Sequence, residues 1–409
     1  MTERLYYTDG FLYEFDAKVV DVVTRDGRTA VVLDRSAFYP TSGGQINDTG
    51  EIRAGDSVMK VVDVTEDEDT GTVFHFVEGA SPGKGTSVRG KVDVARRRDH
   101  MQQHTGQHVL SAAFERLFDA ATVSFHMGAE TCTIDLEAKS LAPAQLERAA
   151  ALANEVVLDD RPVAITFATP EEAKRRNVRK LPPLKGGQDK LRLIEIADFD
   201  LNACGGTHVQ RTGQIGAVLV RKLEKVKQGF RVEFVCGARA AAIAARDYSV
   251  LADAAGKLST HLWELPQQIV KQAEEAKAAG KAQQKLLEEL AEMHAAKLLA
   301  ETPETNGFRL IAHTFSDRDP AFVKFLAHKL TADQQRKAVA LLASTAGQAT
   351  LVFACTVGTD FNMGALLKDA VTAHGGRGGG SKEMAQGGVP SAEDAGSAIA
   401  DVKSRILGG

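Results

Sequence analysis

Residues 1 to about 92 follow a two-residue rhythm. AKVVDVVT (17–24) and RTAVVLDRSAFYP (28–40) alternate or run apolar with many valines, and DG and SGG turns interrupt them. SVMKVVDV (57–64) and GTVFHFV (71–77) repeat the pattern. A small barrel or twisted sheet is predicted for residues 1–92. From Val94 the period lengthens. MQQHTGQHVLSAAFERLF (101–118) places Val109, Ala112 and Leu117 at helical spacing, and PAQLERAAALANEVVLDD predicts a second helix from Pro143. TCTIDLE (131–137), PVAITFAT (162–169) and LRLIEIADFD (191–200) read as strands, and EEAKRRN (171–177) as a short helix. GAVLVRKLEKVKQGFRVEFVCG (216–237) reads as two strands turning at Gln228–Gly229. Residues 93–239 therefore form an α+β unit in this reading.

Residues 240–303 are helical in character. Leu262, Leu265, Ile269, Ala276, Leu286, Leu290 and Met293 fall mostly on three, four or seven spacings, with one break between Ala276 and Leu286. A helical hairpin or coiled-coil arm is expected, although these positions could equally pack on the next domain. Residues 304–409 read βαβα, with strands at FRLIAHTF, AVALLAST and ATLVFACTV and a helix at DPAFVKFLAHKL. The glycine tract AHGGRGGGSKEMAQGGV (373–389) lies inside this domain, because DAGSAIADVKSRIL continues beyond it as an amphipathic helix. The whole is an α+β, multidomain chain.

Composition adds limits. The chain has 409 residues, 44% of them hydrophobic and 25% charged, which fits several globular cores and neither a fibrous nor a disordered protein. MTERLYYTDGFLYEF has no apolar signal core and no run of about 20 apolar residues follows, so a cytoplasmic location without a membrane partner is expected. Cys132, Cys204, Cys236 and Cys355 are few and never closely paired, which argues against a disulfide framework. The net charge of −4 hides asymmetry: Lys174 to Arg192 holds eight Lys/Arg and one acid, and Arg221 to Arg231 five against one. A near-neutral total is compatible with a basic face.

Candidate chemistry centres on HMQQHTGQHV (100–109) and ACGGTHV (203–209). His104 and His108, at i and i+4, share one side of a helix, and Cys204 and His208 bracket Gly-Gly-Thr in a loop that brings both to one point. A Cys/His₃ set suits tetrahedral Zn²⁺, one per chain. His100, one turn earlier, could replace His104 but sits where the helix end frays. A closed four-ligand site would be structural, whereas catalysis needs an open position, and spacing does not choose between them.

HTGQH (104–108) and CGGTH (204–208) resemble the HxxxH and CxxxH motifs of the alanyl-tRNA synthetase editing domain. LDRSAFYPTSGGQINDTG (33–50) resembles that domain's glycine-rich segment, with Asn47 where a further glycine is common; TGQIGAVLV and GFRVEFVCGARA continue the pattern. The 373–389 tract resembles the signature of the DHHA1 domain. The resemblance spans almost the whole chain, and no aminoacylation domain precedes it, so a free-standing editing protein of the long AlaX type is implied. The implied activity is zinc-dependent trans-editing: hydrolysis of the carboxylic ester of tRNA(Ala) mischarged with serine, or with glycine. An alanine-activating pocket excludes neither a smaller nor a merely hydroxylated amino acid well, so a second site must inspect the product.

By position in the family pattern, Ser124 is a pocket hydroxyl with Thr122 and His126 as neighbours, the alternative being an exposed strand start. Gly43, Gly44 and Gln45 would close over the site, or form an ordinary turn. HTGQH carries no acid, unlike HExxH proteases, so no residue is assigned as general base; water activated by the metal, or a tRNA hydroxyl, is left for that role. Arg175, Arg176, Arg179, Lys180, Lys222, Lys225 and Lys227 are the candidates for acceptor-stem phosphates, and Arg377 for a further phosphate contact. GGRGGG lacks the P-loop ending Gly-Lys-Ser/Thr, which disfavours ATP binding. The family's terminal domain contacts tRNA or mediates dimerisation, so a homodimer would form through the arm or this domain. Two alternatives stand beside this reading: a non-catalytic tRNA-binding protein with structural zinc, and a deacylase of another seryl-tRNA such as Ser-tRNA(Thr).

Overall fold

A computed structural model describes residues 1–182 and 189–408. Part of the predicted basic stretch, residues 183–188, lies outside the described residues. Two compact units are present, Met1–Asp253 and Ala254–Gly409.

The first unit opens with β1 (Glu3–Arg4), followed by β2 (Glu14–Arg25), β3 (Arg28–Leu33), β4 (Arg35–Ser36), β5 (Gly50–Ala54), β6 (Ser57–Asp67), β7 (Thr72–Glu78) and β8 (Ser87–Val92). Six of these close a barrel in the order β2-β3-β7-β6-β5-β8. β2 shows why: Phe15, Ala17 and Val19 are buried while Glu14, Asp16 and Lys18 are exposed, the period-two signature of a half-buried strand. Phe38, Ile52, Met59 and Val61 fill the barrel core. The sequence reading identified the longer strands but not β5 and β8, which hold too few apolar residues to stand out.

The barrel leads into α1 (Val94–Phe118), whose start is capped by Asp93, accepting from the Ala95 and Arg96 amides. α1 is the central element of this unit: it is buried from His100 to Phe114 apart from a half-covered Gln102, although much of that stretch is polar. β9 (Ala121–Met127), β10 (Cys132–Glu137), α2 (Pro143–Leu158), β11 (Val163–Ala168), α3 (Pro170–Arg175), β12 (Leu191–Ile196), β13 (Asp200–Ala203), β14 (Val218–Val226) and β15 (Gly229–Cys236) follow. They form an antiparallel sheet β14-β15-β10-β9 and a smaller one, β11-β12-β13. Val109, Leu110, Phe114, Ile134, Phe234 and Val156 pack between α1, α2 and the larger sheet. Burying each large side chain of this kind contributes about 1.5–3 kcal/mol.

One buried ion pair ties barrel to helix. Arg97 of α1 is fully buried; its Nε lies 3.0 Å from Asp48 Oδ2, and its Nη1 donates to the Gly10 carbonyl at 2.8 Å. Removing one partner would leave a buried charge uncompensated, a loss of about 3–5 kcal/mol.

α4 (Gly237–Lys257) spans the division between the units. In the second unit a 3₁₀ turn at Leu262–Glu264 precedes α5 (Leu265–Glu301), 37 residues and about 55 Å long. Then come β16 (Arg309–Phe315), α6 (Pro320–Thr331), β17 (Ala338–Ser344), β18 (Thr350–Cys355), α7 (Met363–Ala373), β19 (Arg377–Gly380), β20 (Met384–Gly388) and α8 (Ala392–Leu407). The sheet order is β16-β17-β18-β20-β19, parallel only between β16 and β17. α5 and α6 cover one face, α7 and α8 the other. The βαβα reading is thus corrected by α7 and by the glycine tract, which supplies two antiparallel strands, β20 beside β18 and β19 at the edge. Almost without side chains, those strands carry no period for a pattern search to detect. Among the described residues no helix is long and apolar enough to cross a membrane.

Candidate metal centre

His104 and His108 project from one face of α1, and the loop after β13 carries Cys204 and His208 to the same point. One ligand atom from each of these side chains lies within 4.8 Å of all the others. Cys204 Sγ is 3.3 Å from His104 Nε2 and 3.4 Å from His208 Nε2. No other group of three or more His, Cys, Asp or Glu among the described residues converges in this way.

The opposite nitrogen of each ring is held by the protein. His104 Nδ1 lies 2.7 Å from Gln45 Oε1, His108 Nδ1 lies 3.2 Å from Asp200 Oδ2, and His208 Nδ1 lies 3.1 Å from Thr105 Oγ1. With Nδ1–H donating in each case, the three Nε2 lone pairs face the cluster, the arrangement that metal-bound imidazoles adopt. Burial alone would push the Cys204 thiol up, but the imidazoles of His104 and His208 pull it well below its usual value, toward the thiolate a metal requires. The donor set therefore fits a borderline-soft ion such as Zn²⁺.

The braces have braces. Asp200 is held by Arg179, whose Nε donates to Oδ1 at 2.8 Å and whose Nη2 donates to Oδ2 at 3.2 Å. Burial raises the Asp200 carboxyl, yet His108 and Arg179 outweigh it and keep the group ionised. Arg192, almost fully buried, donates from Nη1 to the carbonyls of Cys204 at 2.7 Å and Gly206 at 2.9 Å, pinning the metal loop from beneath. A side chain at Gly206 would put Cβ 2.2 Å from His104 Cε1, so only glycine lets the loop approach α1 this closely. Gln45 is fully buried; Oε1 also accepts from the Thr207 amide at 3.1 Å, and Nε2 donates to Thr207 Oγ1 at 2.9 Å. One amide side chain thus joins the glycine-rich loop, α1 and the metal loop.

Several expectations need correction. Arg179 is turned inward onto Asp200 and Glu115, so it braces the metal site and is not offered to phosphate. Arg192, the end of the predicted basic stretch, is likewise interior. Gln45 does not close over the site from outside but supports His104 from behind. Gly43 has no atom near its missing side chain, while Gly44, with φ +84°, lies so close to β9 that a Cβ would come within 2.3 Å of the Phe125 carbonyl oxygen. Ser124 is exposed and donates to its strand partner Asp135 at 2.8 Å, next to a bulge at Val123, and Asp135 is held by Arg231. The pleat therefore puts Ser124 and His126 on the sheet face opposite Phe125, whose ring centroid lies 5.2 Å from that of His104. Thr122 is on the α1 side: its hydroxyl donates to Ser111 Oγ at 2.7 Å, one helical turn beyond His108. His100 is outside the cluster, with its ring buried 3.9 Å from Asp48; its direction and not fraying removes it.

Of the remaining candidates, Arg176 is paired with Glu195 at 2.6 Å and Lys222 with Glu224. Arg175, Lys180, Lys225 and Lys227 are exposed, as is Arg377 on the edge strand β19. Sequence reasoning missed Asp200, Thr105 and Phe125. The period-two alternation of β13 and the i+1 position of Thr105 were the available signals, both too common to single out.

Three family models match: tRNA synthetases class II (A) at residues 4–96, the threonyl and alanyl tRNA synthetase second additional domain at 191–232, and the DHHA1 domain at 307–407. The Alanyl-tRNA editing protein AlaX-L of Pyrococcus horikoshii is 33% identical over 402 residues, 95% of this chain and 95% of its own. The Alanine--tRNA ligase of Halorubrum lacusprofundi is 35% identical over 96% of this chain, which spans 42% of that enzyme. The solved C-Ala domain from Aquifex aeolicus alanyl-tRNA synthetase matches 27% of this chain at 22% identity, with a TM-score of 0.24 that carries no weight for the fold. An end-to-end match to the archaeal protein, with a donor set assembled by the very motifs that carry the resemblance, settles the relationship: the chain belongs to the AlaX-L family of alanyl-tRNA editing proteins.

Proposed function

We propose that this protein hydrolyses the ester of tRNA(Ala) mischarged with serine, and with glycine, acting in trans and depending on zinc. The observation that carries the reading is the convergence of His104, His108, Cys204 and His208 from two distant segments in a chain matching AlaX-L over its length. When bound, the ion supplies Lewis acidity at the aminoacyl carbonyl. Gln45, Asp200 and Thr105 orient the imidazoles. Phe125 offers a partly buried ring beside His104 for the terminal base or the aminoacyl group. The half-buried Thr122 hydroxyl, bonded to Ser111 Oγ on the α1 side, is the polar group assigned in this reading to the seryl hydroxyl that alanine lacks. Arg175, Lys180, Lys225, Lys227 and Arg377 remain the exposed cations for RNA phosphates.

Four protein donors around one point also favour a second reading, in which the zinc is structural and the protein binds tRNA without hydrolysing it. Incubating purified protein with Ser-tRNA(Ala) and Ser-tRNA(Thr), with and without a chelator, separates the readings. Chelator-sensitive loss of serine from tRNA(Ala), abolished in folded His104→Ala and Cys204→Ala variants, is expected. An intact, zinc-loaded protein without hydrolysis would establish the second reading, and preference for Ser-tRNA(Thr) would redirect the substrate.

A further inference from the structure

Gln45, Gln103 and Gln107 are all buried in the first unit, and two of them are answered at both ends of the amide. Gln45 bonds His104 and Thr207. Gln103 Oε1 accepts from the Cys236 amide at 2.8 Å while its Nε2 donates to the Cys236 carbonyl at 2.9 Å. Gln107 differs. Its Nε2 donates to Ser111 Oγ at 2.8 Å, but Oε1 has no donor among the described residues. Sealed polar atoms without partners occur elsewhere, at Tyr13 Oη and Arg192 Nη2, but not here, so the 6% of this side chain that stays exposed includes its free acceptor. A shielded amide carbonyl without a donor is costly, and a ligand that brings a donor would remove the cost.

Positions i, i+3, i+4 and i+7 put His104, Gln107, His108 and Ser111 on one face of α1. β9 runs along that face, with the Phe125 ring beside His104 and the Thr122 hydroxyl on Ser111. Gln107 therefore opens onto the strip between them, within one helical turn of both ligands of the helix. We propose that Gln107 Oε1 anchors the α-ammonium of the aminoacyl group, an assignment that rests on the deacylase reading above. An ammonium has only donors to give, and a carbonyl oxygen in a shielded cleft bonds it more strongly than it bonds a neutral donor. The α-nitrogen is two bonds from the ester carbon, so holding it here keeps that carbon against the face that carries His104 and His108. Seryl and glycyl esters both carry the amine. Gln107 thus serves the two alike and leaves the choice against alanine to the Thr122 hydroxyl.

Deacylation of Ser-tRNA(Ala), Gly-tRNA(Ala) and acetyl-tRNA(Ala), the last being the glycyl ester without its amine, tests the assignment. The ratio of variant to parent within each substrate cancels the intrinsic reactivity of the esters. Gln107→Leu should lower kcat/KM about tenfold or more, and alike, for the seryl and glycyl esters. It should leave acetyl-tRNA(Ala) unchanged and keep the parent's zinc content and helix signal by circular dichroism. Where Gln107→Leu does not fold, the more nearly isosteric Gln107→Met takes its place with the same expectation. Equal losses on acetyl-tRNA(Ala) would give Oε1 to a ribose hydroxyl, and no loss on any ester would leave it to water; either overturns the proposal. A zinc-loaded parent inactive on all three esters would instead sink the deacylase reading, and this proposal with it.

Discussion

Asp200→Asn isolates the contribution of one carboxylate to the metal centre. The substitution keeps size and an acceptor oxygen for the His108 Nδ1–H, but removes the negative charge that sits 3.2 Å from that ring. It also deprives Arg179 of its closest ionic partner, leaving Glu115 at 3.4 Å. Carboxylates that orient metal-bound histidines typically change affinity by about 10–100-fold, or roughly 1.4–2.7 kcal/mol. Because Asp200 is buried, little of this effect is screened by solvent. Competition for Zn²⁺ against a chromophoric chelator measures it directly, and a thermal scan of the metal-free protein controls for unfolding. Zinc affinity falling about tenfold or more, with deacylation recovered at high zinc, is expected. Affinity within a factor of about two of the parent would show that Asp200 neither orients nor polarises His108, and the braced-histidine account of the site would fail.

Thr122→Val should erode discrimination between seryl and alanyl esters, and Ser124→Ala should not; competition between Ser-tRNA(Ala) and Ala-tRNA(Ala) reports both, and the opposite ranking would restore Ser124 to the pocket. His75, fully buried in the barrel with Nδ1 on the Val31 carbonyl at 2.9 Å and Nε2 on Ser36 at 2.7 Å, is pushed by burial down to about 4. A lowered histidine is neutral when folded and charges first when unfolded, so its contribution is complete above about pH 6.5 and fades as pH falls toward 4. Denaturant titrations should lose roughly 3 kcal/mol across that window, and substantially less in His75→Gln, whereas equal losses would acquit the residue. Lys225→Ala and Lys227→Ala should each weaken tRNA binding and lower the slope of log affinity against log salt by roughly 0.7–0.9, and an unchanged slope would remove that lysine from the RNA surface.

How much the sequence disclosed follows from the range of each interaction. The donors were legible because i, i+4 spacing on a helix and a CxxxH loop are local patterns, and the barrel strands were legible from their alternation. Arg179 was misassigned because charge in a sequence carries no direction: the same guanidinium serves solvent or Asp200 depending on a fold that places β13 beside it. For Ser124 the sequence left open a pocket hydroxyl and an exposed strand start, because one bulge at Val123 decides which face its neighbour Thr122 takes relative to it. Gln45 appeared in a motif, but its partner Thr207 is 162 residues away, beyond any local pattern.

The ring of donors has a topological effect besides its chemistry. With two ligands on α1 and two just after β13, an ion held between them closes a loop of about a hundred residues, as a covalent cross-link would. Chain-entropy reasoning gives such a closure about 4–5 kcal/mol of advantage over the open, unfolded chain. If the site holds zinc, loss of the ion would loosen the tether between the central helix and the smaller sheet, and melting of residues 1–253 would then report the free zinc in the surroundings.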